Sequence, residues 1–360
     1  MEMQTMVVGL MVDPGLSRQV ARSAAGDLKQ DLSDHGDDGH RWEVEVGEEN
    51  LPLTAEGDIP LMDQAGELRS RYGWDFVLYL TDLPRYHDED PLLCEVSATH
   101  RAALVSLTAM GAFRLKAKIR KLLIAVIHSA REGADDYPLV KTVQTILGFK
   151  GARRVSRQGR GDAAYIVLPG WLSRLNLLSG MVRSNKPGRM LPALSGAITA
   201  ATASGAFGVY YSSIWALADA AHPARLVMIA VIVILALTGW LIFRNGLWNK
   251  RKEIVSPWQG GMDNVTTVIM VATSVALMYL VLTAVLFGLS LAVISPGYLH
   301  SELMHPVSLL DYAELSWLAA SLGTLFGALG SNFDSNEKIR AATYSKRQHE
   351  RMQKADAYND

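Results

Sequence analysis

Residues 226–243 have the sequence LVMIAVIVILALTGWLIF, a run without a single charged side chain. At the helical rise of about 1.5 Å per residue, a run of this length reaches across most of the ~30 Å hydrocarbon core of a bilayer. A peptide group in lipid has no water to bond with, so such a run satisfies its backbone hydrogen bonds as a helix. The stretch therefore predicts a membrane-spanning helix.

Three further apolar runs lie on either side of this one in the second half of the chain, at Gly196–Leu217, Thr266–Ile294 and Leu309–Leu329. The first two also lack charged residues, whereas the third contains Asp311 and Glu314. We therefore predict an α-helical four-span membrane bundle over residues 196–333. The remaining residues, 334–360, are polar and of mixed charge, and are expected to form a cytoplasmic tail.

Basic residues are sorted to one side of the predicted bundle. Three Lys and Arg residues lie just before the first span, at positions 183–189, four lie between the second and third spans, and six follow the fourth, which gives thirteen. The other two connections contain one, Arg225. Because Lys and Arg near span ends are retained on the cytoplasmic side, we expect a multi-pass cell-membrane protein with both termini in the cytoplasm. An even number of spans agrees with this orientation.

Residues 1–132 alternate between strand and helix patterns. Strands are predicted at Met6–Val12, Trp42–Val46, Trp74–Leu80, Leu92–Ser97 and Ala102–Leu107, and helices at Leu16–Leu32, Leu61–Tyr72 and Phe113–Ala130. This alternation is typical of an α/β domain with a mostly parallel sheet and flanking helices, here with one hairpin between the last two strands. Residues 133–195 are expected to be a basic juxtamembrane linker that contains an interfacial helix at Trp171–Val182.

Asp13 and Asp82 directly follow two of the predicted strands, at the sheet edge where α/β proteins bind ligands. Two carboxylates at one edge are able to bind a metal or to act as an acid–base pair. In the alternative interpretation, Asp13 caps the following helix and Asp82 begins a turn with Pro84. Both interpretations remain open at this point.

Several known chemistries lack their motifs in this sequence. It contains no phosphate-binding loop, dinucleotide fingerprint, Gly-x-Ser-x-Gly elbow or His-Glu-x-x-His pair. The strand order, hairpin and closing helix resemble the layout of metzincin-type zinc peptidases, but the helix that would hold the zinc has the sequence Ile119–Ile124, without histidine. That resemblance implies a head without zinc catalysis, and we expect neither a cofactor nor a metal.

Charge is separated along the first half of the chain. Residues 1–110 contain 21 acidic and 8 basic residues, whereas residues 111–195 contain 4 acidic and 16 basic ones. Basic side chains near a span can contact anionic lipid headgroups. The candidates for this contact are Arg114, Lys118, Lys121, Arg153, Arg154 and Arg157. A solvated basic face is the alternative, and nucleic acid is disfavoured because aromatic residues are not interleaved with these positions.

Small residues recur at four-residue spacing in the first and fourth spans. They are Gly196, Ala200, Ser204 and Gly208 in the first, and Gly323 and Gly327 in the fourth. This spacing places them on one face of a helix, where two backbones can approach closely. We predict that spans one and four pack together, either within one chain or across a homo-oligomer.

Asp311 and Glu314 share a helix face at the outer end of span four. Together with His300, Glu302 and His305 of the preceding loop, they form a candidate cation or proton site. The alternative is that these acids are favoured by the positive end of the helix dipole. The rest of the bundle gives little support to transport.

Four stretches, Val8–Gly15, Leu80–Pro84, Ala103–Leu107 and Gly180–Pro187, resemble a family of uncharacterised bacterial integral membrane proteins with an N-terminal cytoplasmic α/β head. The resemblance implies an architecture and no catalytic residues. Our first hypothesis is a non-catalytic membrane protein whose head binds a partner or ligand. The alternatives are a membrane-anchored enzyme that uses Asp13 and Asp82, and a small transporter or channel.

Overall fold

The computed structural model describes residues 5–35, 40–54, 58–132, 139–146, 148–156, 163–185, 187–248, 257–331 and 339. The chain divides into two compact units, with the boundary between Ser184 and Asn185. We call Met1–Ser184 the head unit and Asn185–Arg347 the helical unit.

The head unit is built on one sheet of eight strands. Their bounds are β1 Thr5–Val12, β2 Arg41–Glu48, β3 Phe76–Thr81, β4 Tyr86–His87, β5 Asp90–Ser97, β6 Ala102–Ser106, β7 Arg153–Ser156 and β8 Ala163–Val167. The strand order is β2-β1-β3-β6-β5-β8-β7, and β4 pairs with β5 outside this path. The sheet gives the helices of the unit a common surface on which to pack.

The sheet is mixed, and the prediction of a mostly parallel sheet holds only for its first half. Strands β2, β1, β3 and β6 are parallel. Strand β5 is antiparallel to β6 and β8, and β7 is antiparallel to β8. The change occurs where β5 and β6 are joined by a short hairpin, as predicted, because a tight turn reverses the chain whereas a parallel neighbour needs a longer crossover.

Helices α1 Leu16–His35, α2 Leu61–Tyr72, α3 Leu115–Glu132, α4 Leu139–Ile146 and α5 Trp171–Asn185 complete the head unit. The connections from β1 to β2 and from β2 to β3 run in opposite directions along the sheet, so right-handed crossovers place α1 and α2 on opposite faces. With both faces covered, the central strand β3 is buried along its whole length.

The head unit extends beyond the predicted boundary at residue 132. Residues 153–156 and 163–167 were expected to lie in a linker, yet they form β7 and β8 of the same sheet. Strand β8 is buried at every position and pairs with β5. Strand β7 is four residues long and begins with Arg153 and Arg154, so it is too short to show a strand pattern in the sequence.

In its described residues, the helical unit begins with a 3₁₀ helix at Pro187–Leu194 and continues with six α-helices of eight residues or more. These are α6 Ser195–Tyr210, α7 Ser212–Asp219, α8 Pro223–Arg244, α9 Pro257–Val293, α10 Pro296–Leu303 and α11 Leu309–Gly330. Three of its segments are long and apolar enough to cross a membrane, namely Met190–Tyr210, Pro223–Arg244 and Gly260–Val293. The part of the chain that the structure describes thus contains three candidate membrane spans.

Three of the four predicted spans meet these criteria, and the run at Leu309–Leu329 does not. The fourth run forms α11, which is 22 residues long. Its first two turns contain Asp311 and Glu314, and glycine and serine recur along it, so its mean hydropathy is lower than that of the other three.

The predicted first span, 196–217, is also divided. Its helix ends at Tyr210, because Tyr211 has an extended backbone conformation with φ −93° and ψ 113°. The indole Nε1 of Trp215 donates a hydrogen bond of 2.9 Å to the carbonyl oxygen of Val209. This bond satisfies a carbonyl group beside the break, as a buried backbone group requires.

Candidate functional site

The Asp13 carboxylate lies inside the head unit, and its residue is only 1% exposed. Its Oδ1 accepts a hydrogen bond of 2.5 Å from the Tyr79 hydroxyl, and its Oδ2 accepts one of 2.7 Å from the Thr81 hydroxyl. Tyr79 and Thr81 both belong to β3, whereas Asp13 follows β1. Both carboxylate oxygens therefore serve to link the ends of two parallel strands.

The same network reaches the segments that follow β2 and β3. The backbone N–H of Leu51 donates to the Tyr79 hydroxyl at 3.3 Å, and the N–H of Leu83 donates to the Thr81 hydroxyl at 3.1 Å. Leu51 and Leu83 are themselves buried. The sheet edge that would receive a ligand in a parallel α/β protein is here filled by the protein's own side chains around Asp13.

Asp82 is buried as well, with 7% of its surface exposed. The sequence places it directly after β3, and the structure keeps that position. General acid–base chemistry needs groups that a substrate can reach. With both aspartates enclosed, the geometry favours the structural interpretation of Asp13 and Asp82 over the catalytic one.

A second buried polar cluster lies around Arg85 and was not found from the sequence. Nη1 of Arg85 lies 3.3 Å from Oε2 of Glu95, and its Nη2 lies 3.2 Å from Oδ1 of Asp58. The Tyr165 hydroxyl donates to Oε1 of Glu95 at 2.9 Å. The four residues come from four separate segments, including the unpredicted β8, so no local sequence pattern indicates the cluster.

Cys94 lies on β5 between buried neighbours. Burial, with a smaller contribution from the adjacent Glu95, raises the pKa of its thiol. Because the thiolate is the reactive form of cysteine, this thiol is expected to be inert in the folded protein.

The basic residues predicted to contact the membrane have different environments. Nζ of Lys118 donates to the Met110 carbonyl oxygen at 2.9 Å and lies 5.2 Å from the centroid of the Phe149 ring. Burial, and to a smaller extent the nearby Arg114, lowers the pKa of Lys118. Lys118 thus has a structural role inside the head unit.

Arg114 and Lys121 are exposed. Arg153 is also exposed but forms an ion pair of 2.8 Å with Asp90. Arg154 is exposed at the neighbouring position of β7, and Arg157 lies outside the described residues. The exposed cations on or next to α3 are therefore Arg114, Lys116, Arg120 and Lys121, of which Arg120 is paired with Asp31.

Helix α5 has one buried face and one exposed apolar face. Its Leu177 and Met181 are fully buried, whereas Trp171, Leu172 and Leu175 are 68%, 60% and 51% exposed. The helix is fixed to the segment before α3, because Ser179 Oγ accepts the Ala112 N–H at 3.1 Å and Arg183 donates to the Ala112 carbonyl oxygen at 2.5 Å. We call the exposed set Phe113, Trp171, Leu172 and Leu175 the apolar face of the head.

Phe113 directly follows Ala112, which is bonded to Ser179 and Arg183 of α5. Its side chain is 79% exposed, the highest value among the large apolar residues of the described head. Exposed apolar surface of this kind marks a contact site for a partner or a membrane.

Helices α6 and α11 pack against each other where both have small residues. A Cβ added at Gly323 would overlap the carbonyl oxygen of Ala201, and one added at Gly327 would lie 3.1 Å from that of Ala197. A Cβ at Gly208 would lie 3.1 Å from Cβ of Ala319. The two backbones are therefore in contact within one chain.

The other predicted packing residues lie at the side of this contact. Gly196 and Ala200 are half-buried and approach Gly330, while Ser204 is half-buried. Ala197 and Ala201, each one residue further along the chain, are more deeply buried, at 0% and 1% exposed.

Asp311 caps α11, while His305 forms a contact that the sequence did not predict. Oδ2 of Asp311 accepts the Ser308 N–H at 2.6 Å and the Ser308 hydroxyl at 3.0 Å. Nε2 of His305 lies 2.8 Å from Oδ1 of Asp219, which ends α7. The Pro306 carbonyl and, next, the Asp219 carboxylate raise the pKa of His305.

The other residues of the predicted outer site lie nearby without joining this contact. His300 Nδ1 lies 2.7 Å from the His305 carbonyl oxygen, Glu302 is exposed on α10, and Glu314 is half-buried on α11. Asp219 was missed because 86 residues separate it from His305.

The chain matches no family model, no curated protein and no solved structure. The resemblance to a family of bacterial membrane proteins therefore stays a prediction.

Proposed function

We propose that this chain is a non-catalytic integral membrane protein whose α/β head binds a partner or ligand and is anchored by four helices. The burial of Asp13 carries this proposal. Its carboxylate, the first candidate for catalysis, is held by Tyr79 and Thr81 inside the head. The sheet edge that holds the active site of many α/β enzymes is thus used for structure.

Packing supports α11 as the fourth span. Along its length, α11 lies against α6, which belongs to the candidate span Met190–Tyr210. Its opposite side exposes large apolar side chains, those of Leu325, Phe326 and Leu329. A helix whose backbone contacts a spanning helix and whose outer face is apolar fits the bilayer, even with a modest mean hydropathy.

The arrangement of the connections supports cytoplasmic termini. The hydrogen bond between Asp219 and His305 joins the α7–α8 connection to the α10–α11 connection. These are the two connections that are poor in Lys and Arg. The two connections poor in Lys and Arg therefore lie at the same end of the helical unit. We expect the connections rich in Lys and Arg to lie at the opposite end, on the cytoplasmic side of the membrane.

The apolar face of the head suits the surface of the cytoplasmic leaflet. Four residues separate the end of α5 at Asn185 from the candidate span that begins at Met190. Fully extended, the chain between these two residues reaches roughly 17 Å at most. Tryptophan and leucine side chains insert into the headgroup region, and each nearby cation contributes about 1 kcal/mol on an anionic leaflet. Arg114 is exposed between Phe113 and α3, and Lys116 and Lys121 are exposed on α3 itself.

The full chain in lipid nanodiscs tests this contact. A fluorophore attached at Leu172→Cys is expected to be quenched by brominated lipid tails. The matched control is Glu67→Cys, since Glu67 is exposed on α2. Native Cys94 is buried and does not compete for the label.

We expect quenching at position 172 and none at position 67. Exchanging Arg114 and Lys121 for Glu is expected to reduce the quenching in anionic nanodiscs. Equal quenching at positions 67 and 172, or none at either, would exclude a head that rests on lipid by this face.

A further inference from the structure

We propose that Asp219, His305 and Asp311 form a binding site for a divalent transition-metal ion, with Zn²⁺ as the best-suited ion. The three residues come from the end of α7, the α10–α11 connection and the first turn of α11. Each offers one ligand atom, and these atoms all lie within 4.8 Å of one another. Bonds of about 2.0–2.2 Å to one imidazole nitrogen and two carboxylate oxygens require only small side-chain shifts from this arrangement.

The imidazole of His305 is oriented as in a metal site. Its Nδ1 lies 3.0 Å from the carbonyl oxygen of Pro306, so that Nδ1–H donates and Nε2 points to the cluster. A backbone carbonyl that fixes Nδ1–H in this way holds the tautomer in which Nε2 binds the metal. The His305 backbone is held in turn, because its carbonyl oxygen lies 2.7 Å from Nδ1 of His300.

The two carboxylates are arranged to complete the site. Oδ1 of Asp219 already lies 2.8 Å from Nε2 of His305. An ion that binds between them displaces the proton that they share, as metal binding to histidine does. Asp311 uses Oδ2 to cap its helix, so its Oδ1 is available to an ion.

Charge also favours a cation at this place. With a neutral His305, Asp219 and Asp311 give the cluster a charge of about −2, and Glu314 lies one helical turn beyond Asp311. One divalent ion would balance the two ligating carboxylates. Three protein ligands leave a further position for water, as in open zinc sites.

Zinc titration of the full chain in nanodiscs, without a histidine tag, tests this proposal. We expect one Zn²⁺ per chain by calorimetry and a rise in melting temperature on binding. His305→Gln and Asp219→Asn are each expected to weaken binding at least tenfold. Glu302→Gln, which removes an exposed carboxylate of the same end, is expected to leave binding unchanged.

Co²⁺ serves as a second probe, since its visible absorption reports nitrogen and oxygen ligands directly. If His305→Gln fails to fold, Asp219→Asn decides the test, because Asp219 is exposed at the end of α7. A wild-type chain that binds neither ion, or variants that bind as the wild type does, would reduce the cluster to a hydrogen-bonded helix cap and overturn the proposal.

Discussion

The Asp13 carboxylate links β1 to β3 from inside the head unit. A buried charged acceptor that receives two hydroxyl hydrogen bonds stabilises the fold only while both donors are in place. Residues 13, 79 and 81 are therefore one structural element, although they come from two strands. This interpretation makes a direct prediction for stability.

Asp13→Ala removes the carboxylate that accepts from the Tyr79 and Thr81 hydroxyls, although the Glu49 carbonyl oxygen still lies 3.1 Å from the Tyr79 hydroxyl. We expect a loss of about 2–5 kcal/mol in the free energy of unfolding of the head unit, because hydrogen bonds to a charged group contribute roughly 1.5–3 kcal/mol each. Denaturation of the detergent-solubilised full chain, followed by circular dichroism, measures the loss.

Asp34→Ala is the control, since Asp34 is exposed near the end of α1. Surface substitutions of this kind change stability by about 0.5 kcal/mol or less. Equal effects of the two substitutions would show that Asp13 is not part of a buried network.

Cys94 gives a second prediction at the scale of one residue. Since burial raises the pKa of its thiol, the folded protein is expected to react with a disulfide reagent far more slowly than the unfolded protein at pH 8. A thiol that is kept protonated in the fold stabilises it fully below the ordinary thiol pKa of 9.0. That contribution is lost as the pH rises above this value. Equal reaction rates before and after unfolding would place the thiol at the surface.

The sequence predicts the position of a single residue in the fold better than it predicts that residue's hydrogen-bond partners. Asp13 follows an apolar strand, so its place at the sheet edge was predictable. Tyr79 and Thr81 lie 66 and 68 residues further along, inside a strand with six consecutive buried positions. Nothing in their local pattern shows that their hydroxyls meet a carboxylate.

At the scale of elements, the contact between α6 and α11 makes the sharpest prediction. Gly323→Ala places a methyl group against the Ala201 carbonyl oxygen. Overpacking of this kind costs about 1–3 kcal/mol. We therefore expect a lower melting temperature of the purified protein, measured by tryptophan fluorescence.

Gly239→Ala on α8 is the matched control, because a Cβ at Gly239 meets no atom within 4 Å. In an open helical position, alanine is favoured over glycine by up to about 1 kcal/mol. The two substitutions should therefore shift the melting temperature in opposite directions. A shift of the same sign and size would contradict close packing at Gly323.

The small-residue faces show how far a sequence pattern can specify a contact. On α11, Gly323 and Gly327 stand out between leucines, and they lie against α6. On α6, alanine, serine, threonine and glycine fill nearly every position between Ala197 and Gly208, so adjacent faces are equally small. The sequence of α6 alone therefore does not indicate which of its faces contacts α11, and the position of the glycines on α11 determines it.

The strand pairing in the second half of the sheet could not be predicted from local sequence patterns, for a related reason. Strand β8 pairs with β5 across about 70 residues, and β7 carries two arginines among its four residues. Because of these arginines, the segment that forms β7 was predicted to be part of the basic linker. Pairing with a buried strand overrides such a local preference.

At the scale of the whole molecule, the head unit and the helical unit differ in where they place their apolar side chains. The head unit buries an uninterrupted apolar strand between helices, as an α/β domain in water does. The helical unit instead exposes large aliphatic side chains, such as Val231, Ile232 and Leu235 of α8, which suit lipid. The division was predictable from hydropathy, whereas the helix break at Tyr211 was not, because residues 196–217 form one run without a charged residue, proline or other sign of a break.

The most direct test of the account is the location of the two chain ends in living cells. With four spans, green fluorescent protein fused before Met1 or after Asp360 is expected to fluoresce in both cases, and alkaline phosphatase is expected to be active only when inserted in the α7–α8 or α10–α11 connection. A C-terminal fusion that is active only as the phosphatase would leave three spans and contradict the account.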